Sequence, residues 1–211
     1  MNKRQAKKRT ILKNKQLIEK YPFLLPRYRC NNEILEHYNY THTELISLPP
    51  GWEKAFGMQL LEDLKQVLIE ENMLEQYRIL EIKEKYGSLH WYGNIETAKI
   101  TELLYKYSYL SLHTCVICGK INVPLYDDGW VSPYCEHCFK EQRKRYYKRI
   151  QKFGGTATND GDKKFKIEDA NLKQTCYYTL YEPNKEEKII TLDITDILNR
   201  VGFDITSIPK S

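Results

Sequence analysis

The chain lacks any apolar run of membrane-spanning length, and its basic N-terminus is not followed by the apolar stretch of a signal peptide. It also lacks the phosphate-binding GxxxxGK loop, the dinucleotide-binding GxGxxG turn and the GxSxG nucleophile turn. No internal repeat is visible. These absences predict a cytoplasmic protein without a membrane partner, and they exclude the commonest nucleotide-binding and hydrolase motifs.

Histidine is also scarce: the chain has 5, scattered along its length. A His-Asn-His nuclease needs a histidine between its two cysteine pairs, but residues 119–134 contain Asp127 and Asp128 and no histidine. A zinc deaminase needs H-x-E and P-C-x-x-C around an open metal. The fragments at 42–44 and 133–138 depart from that pattern in spacing. The chain is therefore predicted not to be an enzyme.

The clearest motif is formed by four of the 6 cysteines, in the spacing C-x2-C-x16-C-x2-C. Two residues between cysteines allow one tight turn to direct both sulfurs at one metal, and two such turns complete a tetrahedron. Gly119 follows the first pair, where the turn favours positive φ. The spacing predicts a structural zinc ion bound by Cys115, Cys118, Cys135 and Cys138.

Charge is unevenly distributed, although the whole chain carries only +5. Residues 1–29 carry a net charge of +9 and residues 114–153 carry +4, whereas residues 30–113 carry −6 and residues 154–211 carry −2. The protein thus has two basic segments around an acidic middle. Basic segments of this kind favour an anionic partner, but they also occur as solvated or disordered surface.

A basic helix is predicted over residues 139–153, where seven basic residues face one acid. Its apolar residues fall on one stripe, which predicts that the stripe packs on the body and the charges face outward: Phe139, Tyr146, Ile150 and Phe153. This surface could bind a nucleic-acid backbone or an acidic partner, or it could be a solvated helix face without a partner. The candidate binding residues are Lys140, Arg143, Lys144, Arg145, Lys148, Arg149 and Lys152.

The central region reads as a helix, a hairpin and a second helix. Apolar residues recur at helical spacing over 52–71, after the boundary at Pro49-Pro50-Gly51. Alternating residues over 78–92, including Leu80 and Ile82, predict a β-hairpin. A second helix is predicted over 95–111, capped by Asn94.

The two ends complete the predicted organisation. A short helix from about Arg9 precedes a proline-bounded apolar segment at 21–28 that is expected to dock on the core. Towards the C-terminus, two strand-like runs and a short helix at 196–201 predict a small β module. The predicted units are a basic arm and docking segment (1–29), an α+β zinc-containing domain (30–153), a linker (154–164) and the C-terminal module (165–211).

Several segments resemble uncharacterised small zinc-binding proteins encoded by phages and prophages of Gram-positive bacteria. They are YPFLLPR at 21–27, GWEKAFG at 51–57, KEKYGSLHWY at 83–92, the CxxCG turn at 115–119 and GWVSPYC at 129–135. The resemblance covers roughly residues 20–140. It implies a zinc-bearing accessory protein in the bacterial cytoplasm and supplies no mechanism.

The leading hypothesis is a non-enzymatic, phage-type accessory protein that binds nucleic acid or a nucleoprotein complex through the basic helix and the N-terminal arm. The alternative is an inhibitor of a host enzyme or defence complex, such as an anti-CRISPR-like protein, that acts by direct protein contact through the C-terminal module. Binding to phosphate weakens steeply as salt rises, whereas an apolar protein interface does not. Salt dependence therefore separates the two hypotheses.

Overall fold

A computed structural model describes residues 2–28, 30–31, 33–127, 130–152, 163–165, 173–178, 188–193 and Arg200. Helices and small antiparallel sheets are mixed within these residues, which confirms the α+β class. In this described part of the chain, no helix combines the length and the apolarity that a bilayer span requires.

The N-terminal helix α1 runs from Lys3 to Lys20, so it begins well before the predicted start at Arg9. Asn2 explains the earlier start, because its side chain accepts a hydrogen bond from the Arg4 N–H and forms a capping box with Gln5. Leu17 and Ile18, in the last turns, pack partly buried against the core. The C-terminal end of α1 is thus part of the folded body.

The segment that follows α1 confirms the predicted docking. A 3-10 turn over Pro22–Leu24 buries Phe23 and Leu24 completely, and Tyr21 before them is equally buried. The Tyr21 hydroxyl donates to Glu62 at 2.7 Å, which joins this segment to the first central helix. Burying three large side chains makes this segment part of the core.

The first central helix has three sections: α2 (Pro50–Trp52), a π turn (Glu53–Gly57) and α3 (Met58–Glu70). Leu60, Leu64 and Leu68 are fully buried and Phe56 nearly so, which confirms the predicted apolar stripe. These side chains lie in one core cluster with residues of the hairpin and the second central helix.

The predicted hairpin is present as β1 (Ile79–Lys85) and β2 (Ser88–Gly93), paired antiparallel. The predicted alternation is wrong at one position: a register shift between Ile79 and Glu81 leaves Leu80 40% exposed, while Ile79 and Ile82 are buried. Such a bulge adds one residue to a strand and so reverses which side chains face the core.

The second central helix, α4, runs from Ala98 to Leu112. Its cap is Thr97, whose hydroxyl accepts from the Ile100 N–H, so the prediction of Asn94 as the cap is wrong. Asn94 instead accepts from the Arg78 N–H at 2.6 Å and closes the base of the hairpin.

The chain then forms β3 (Leu125–Asp127) and β4 (Val131–Pro133), followed by helix α5 (Glu136–Lys152). Strand β5 (Lys163–Phe165) pairs with β3, giving the strand order β4-β3-β5 and placing the last two residues of the predicted linker in a strand. The predicted C-terminal hairpin is present as β6 (Lys173–Tyr178) and β7 (Lys188–Asp193). The end of the basic helix predicted over 139–153 and, apart from Arg200, the helix predicted at 196–201 lie outside the described residues.

Candidate metal centre and the adjoining groove

The structure brings the four predicted cysteines together. Cys115 and Cys118 lie on the turn after α4, Cys135 immediately precedes α5, and Cys138 lies in its first turn. All four sulfurs are within 4.8 Å of one another, and the Cys118 and Cys135 sulfurs are 3.7 Å apart. A tetrahedral ion with metal–sulfur bonds of about 2.3 Å separates its sulfurs by about 3.8 Å. The cluster therefore has the size and donor set of a metal site.

Backbone hydrogen bonds shape the two cysteine turns. The Cys115 N–H donates to the Lys120 carbonyl at 2.8 Å, and the Gly119 N–H donates to the Cys115 carbonyl at 3.0 Å. Gly119 has a φ of 78°, which confirms the predicted need for glycine. On the second turn the Cys138 N–H points at the Cys135 sulfur, 3.5 Å away.

Burial and the neighbouring thiols shift the pKa values of Cys118, Cys135 and Cys138. Burial raises the pKa of Cys138, and the neighbouring Cys135 raises it further. Burial likewise raises the pKa of Cys118. Burial also raises the pKa of Cys135, but hydrogen bonds from Cys138 and the other thiols outweigh it and leave the pKa lowered. The Cys135 thiolate is thus favoured, whereas ionisation of Cys118 and Cys138 is opposed, and a bound cation would remove that opposition.

The first cysteine turn docks against the start of the first central helix. The Gly51 N–H donates to the Val116 carbonyl at 2.9 Å, and the Trp52 indole N–H donates to the Thr114 carbonyl at 2.7 Å. Trp52 is fully buried. The metal centre is therefore joined to the main core and not suspended on a separate lobe.

The two histidines near the cysteines do not join the cluster. His113 is buried and packs against the Tyr109 ring, and burial lowers its pKa to about 4. His137 is exposed on α5. Among the described residues, the four cysteines are the one group of histidines, cysteines and acids arranged to hold a metal.

Helix α5 presents most of its predicted binding residues to solvent. Lys140 pairs with Glu136 at 2.8 Å, and Lys144 pairs with Glu141 at 2.7 Å. The Arg143 guanidinium lies half-buried over the Phe139 ring, 5.6 Å from its centre. The remaining four are exposed: Arg145, Lys148, Arg149 and Lys152.

The apolar stripe predicted on α5 is wrong at Tyr146. Phe139 is buried, with its ring stacked 3.9 Å from the Tyr126 ring of β3, but Tyr146 is 57% exposed. Strand β3 covers the first turn of the helix, and Tyr146 lies two turns further on. The Ile150 side chain and Phe153 lie outside the described residues.

An open groove of about 400 Å³ lies between α5 and strands β3 and β4. Aromatic side chains form much of its lining: Tyr126, Trp130, Tyr134, Phe139 and Tyr146. Polar groups of α5 complete it: Gln142, Arg143, Arg145 and Arg149. Sequence reasoning found the arginines and missed Tyr126 and Trp130. The available signal was the group of aromatic residues between the two cysteine pairs, where Tyr126, Trp130 and Tyr134 lie.

Trp130 is held in place by the tip of the first hairpin. Its indole N–H donates to Glu84 at 2.7 Å, and its ring stacks on Tyr86 with 5.7 Å between centres and 20° between planes. Glu84 also accepts from the Gly87 N–H at 2.6 Å. The groove wall therefore has a defined position although Trp130 is 52% exposed.

Comparison with known proteins does not extend this description. No protein-family model, no curated protein and no solved structure matches the chain.

Proposed function

We propose that this chain is a non-enzymatic, phage-type accessory protein that carries a structural zinc ion and binds nucleic acid, free or within a nucleoprotein complex, through α5. The metal is assigned as zinc because four thiolates in a tetrahedron suit zinc and leave no open position for a substrate. A closed site of this kind stabilises a fold and does not perform chemistry.

One observation carries the proposal: α5 begins inside the cysteine cluster. Cys135 and Cys138 fix its first turn, and the exposed Arg145 and Arg149 follow two to three turns later. A helix with six net positive charges over 139–153 repels itself, so it needs an external support. A metal at its N-terminus supplies that support, and the arginine forks suit the bidentate recognition of phosphate.

The decisive experiment compares two charge-reversed variants in oligonucleotide binding. We expect Arg145→Glu with Arg149→Glu to reduce affinity by at least tenfold at low salt, with unchanged metal content. The control is Lys54→Glu with Lys99→Glu, which changes the net charge equally on other helices. Equal binding by both double variants contradicts a specific role for α5.

A pull-down from bacterial lysate, with and without nuclease treatment, tests the alternative. Partners that are lost after nuclease treatment or at high salt support nucleic-acid binding. A protein partner that is retained under both conditions supports the host-inhibitor hypothesis instead.

A further inference from the structure

We infer that the groove between α5 and strands β3 and β4 binds a single-stranded nucleic acid, with unpaired bases on its aromatic side chains and phosphates on its arginines. This inference rests on the proposed function and narrows it to a substrate class. The observation behind it is the placement of exposed aromatic rings and arginine forks on one recess of the surface.

Two rings of the groove are more than half exposed to solvent. Trp130 is 52% exposed and Tyr146 is 57% exposed, although large aromatic side chains are usually buried. One face of Trp130 is covered by Tyr86, and Trp130 itself lines the groove. An indole fixed in orientation and open to a recess is a platform on which a planar base can stack.

The charge of the recess selects an anion. Arg143, Arg145 and Arg149 line it, and the nearby lysines Lys140 and Lys144 are paired with acids of the same helix. Glu84, which contacts Trp130 on the groove wall, accepts hydrogen bonds from the Trp130 indole and from the Gly87 N–H of the hairpin tip. Aromatic rings interleaved with arginines are the combination by which proteins follow a sugar–phosphate chain and its bases together.

The same geometry disfavours a duplex. In a duplex the base faces are stacked on one another, so an aromatic ring reaches them only after a base is unstacked. A duplex presents phosphates alone to such a recess, and only the arginines engage it. Stacking on a ring is tolerant of base identity because every base has a π face. We therefore expect a preference for single strands and little preference for sequence.

Trp130 also supplies a direct readout. The chain has 3 tryptophans, and the other two are buried: Trp52 is fully covered and Trp91 is 7% exposed. A base that stacks on Trp130 therefore quenches the fluorescence of this tryptophan alone. Phosphate contact without stacking leaves that fluorescence unchanged.

The experiment titrates the full-length, metal-loaded protein with a mixed-sequence 20-nucleotide single strand, as DNA and as RNA, and with the corresponding duplex. We expect tryptophan emission to fall on single strands and the affinity to be at least tenfold higher than for the duplex at the same salt concentration. Tyr146→Ala and Trp130→Ala are each expected to reduce single-strand affinity about tenfold. Tyr146→Phe keeps the ring and is expected to bind like the wild type.

The matched control is Tyr105→Ala, which removes a 40% exposed tyrosine from α4 and is expected to change nothing. Circular dichroism and metal content verify that each variant is folded. Equal affinity for duplex and single strand overturns the inference, and so does wild-type affinity in folded Tyr146→Ala and Trp130→Ala. The proposed function stands in either case if Arg145→Glu with Arg149→Glu still loses binding. Absence of binding to every oligonucleotide overturns both.

Discussion

Gly51 and Gly119 lie in direct backbone contact, and neither position has room for a side chain. A Cβ on Gly51 would come within 2.8 Å of the Gly119 nitrogen, and a Cβ on Gly119 within 2.6 Å of the Gly51 carbonyl oxygen. One glycine begins the first central helix and the other ends the first cysteine turn. Their contact joins the four-cysteine cluster to the apolar core.

Gly51→Ala is accordingly expected to destabilise the protein by about 1–3 kcal/mol, because its methyl group also meets the Val116 carbonyl carbon at 2.6 Å. Metal affinity is expected to fall with it. The control is Gly57→Ala in the same helix, whose nearest neighbour would be the flexible Glu53 side chain at 3.4 Å. Alanine is a better helix former by about 0.5–1 kcal/mol, so this variant is expected to be neutral or stabilising. Urea unfolding measures both, and equal stability of the two variants contradicts the expectation.

Loss of one cysteine of the cluster is expected to release the metal. Cys135→Ser removes one ligand and the sulfur that faces the Cys138 N–H, so metal analysis is expected to fall from about one zinc per chain to below half. Helical circular dichroism is expected to decrease, since α5 loses its anchored first turn. Cys30→Ser changes an exposed cysteine far from the cluster in sequence and is expected to keep the metal. Full zinc content in Cys135→Ser would mean that the four-cysteine assignment is wrong.

The Asp63–Arg200 pair predicts a pH dependence of stability. Arg200 donates to both Asp63 oxygens at 2.8 and 2.9 Å, and Tyr107 donates at 2.7 Å. Burial raises the pKa of Asp63, but the hydrogen bonds from Arg200 and Tyr107 outweigh it and the pKa is lowered. Stability from this carboxylate is therefore present above its unfolded pKa of about 3.9 and is lost as pH falls through the lower folded pKa.

Arg200→Gln is expected to cost about 1 kcal/mol at pH 7, since the arginine is partly exposed. The difference from wild type is expected to shrink as pH falls below about 4 towards the lowered folded pKa of Asp63, where its carboxylate becomes protonated. Unfolding free energies measured from pH 3 to 7 provide the test. Lys99→Gln, which breaks the exposed pair with Glu70, serves as the control and is expected to stay within about 0.5 kcal/mol. A pH-independent difference for Arg200→Gln contradicts this assignment.

The C-terminal turns of α1 pack against the folded core, whereas its N-terminal turns are mostly exposed. The basic, apolar-poor composition of residues 1–20 predicts that they are dispensable for folding. The contacts of α1 argue against this for its C-terminal part, because Leu17 packs against the core and the buried Asn14 side chain donates to the Tyr40 carbonyl at 2.8 Å. Deletion of residues 2–12 is expected to leave the melting temperature nearly unchanged. Deletion of residues 2–20 is expected to cost about 2 kcal/mol or more. Equal melting temperatures for the two truncations would show that the C-terminal turns of α1 contribute nothing.

Local spacing made the metal cluster and the central helices predictable. The C-x2-C pairs directed all four sulfurs inward, and apolar residues such as Leu60 and Leu64 recurred with the period of a buried helix face. The cap at Thr97 and the bulge beside Leu80 were missed because each depends on one hydrogen bond among several that the sequence allows.

The groove was missed for a different reason. Trp130 and Tyr146 line one groove although they belong to different parts of the chain, and the anchoring Glu84 lies 46 residues before Trp130. The spacing of apolar residues within one helix or strand does not show which residues of separate elements come close together. Tyr146 shares a helix face with Phe139 and was therefore predicted to be buried. The strand that packs on Phe139 does not cover Tyr146, which is 57% exposed.

Asp63 and Arg200 are 137 residues apart in the sequence, so a ribosome synthesises Asp63 well before its partner. At roughly 5–20 residues per second, a ribosome adds Arg200 about 7–27 s after Asp63. During that interval the nascent chain already contains Gln59 and gains Tyr107, both of which donate to the same carboxylate. The central helices can thus assemble around an Asp63 carboxylate that already accepts hydrogen bonds, and Arg200 adds its ion pair later.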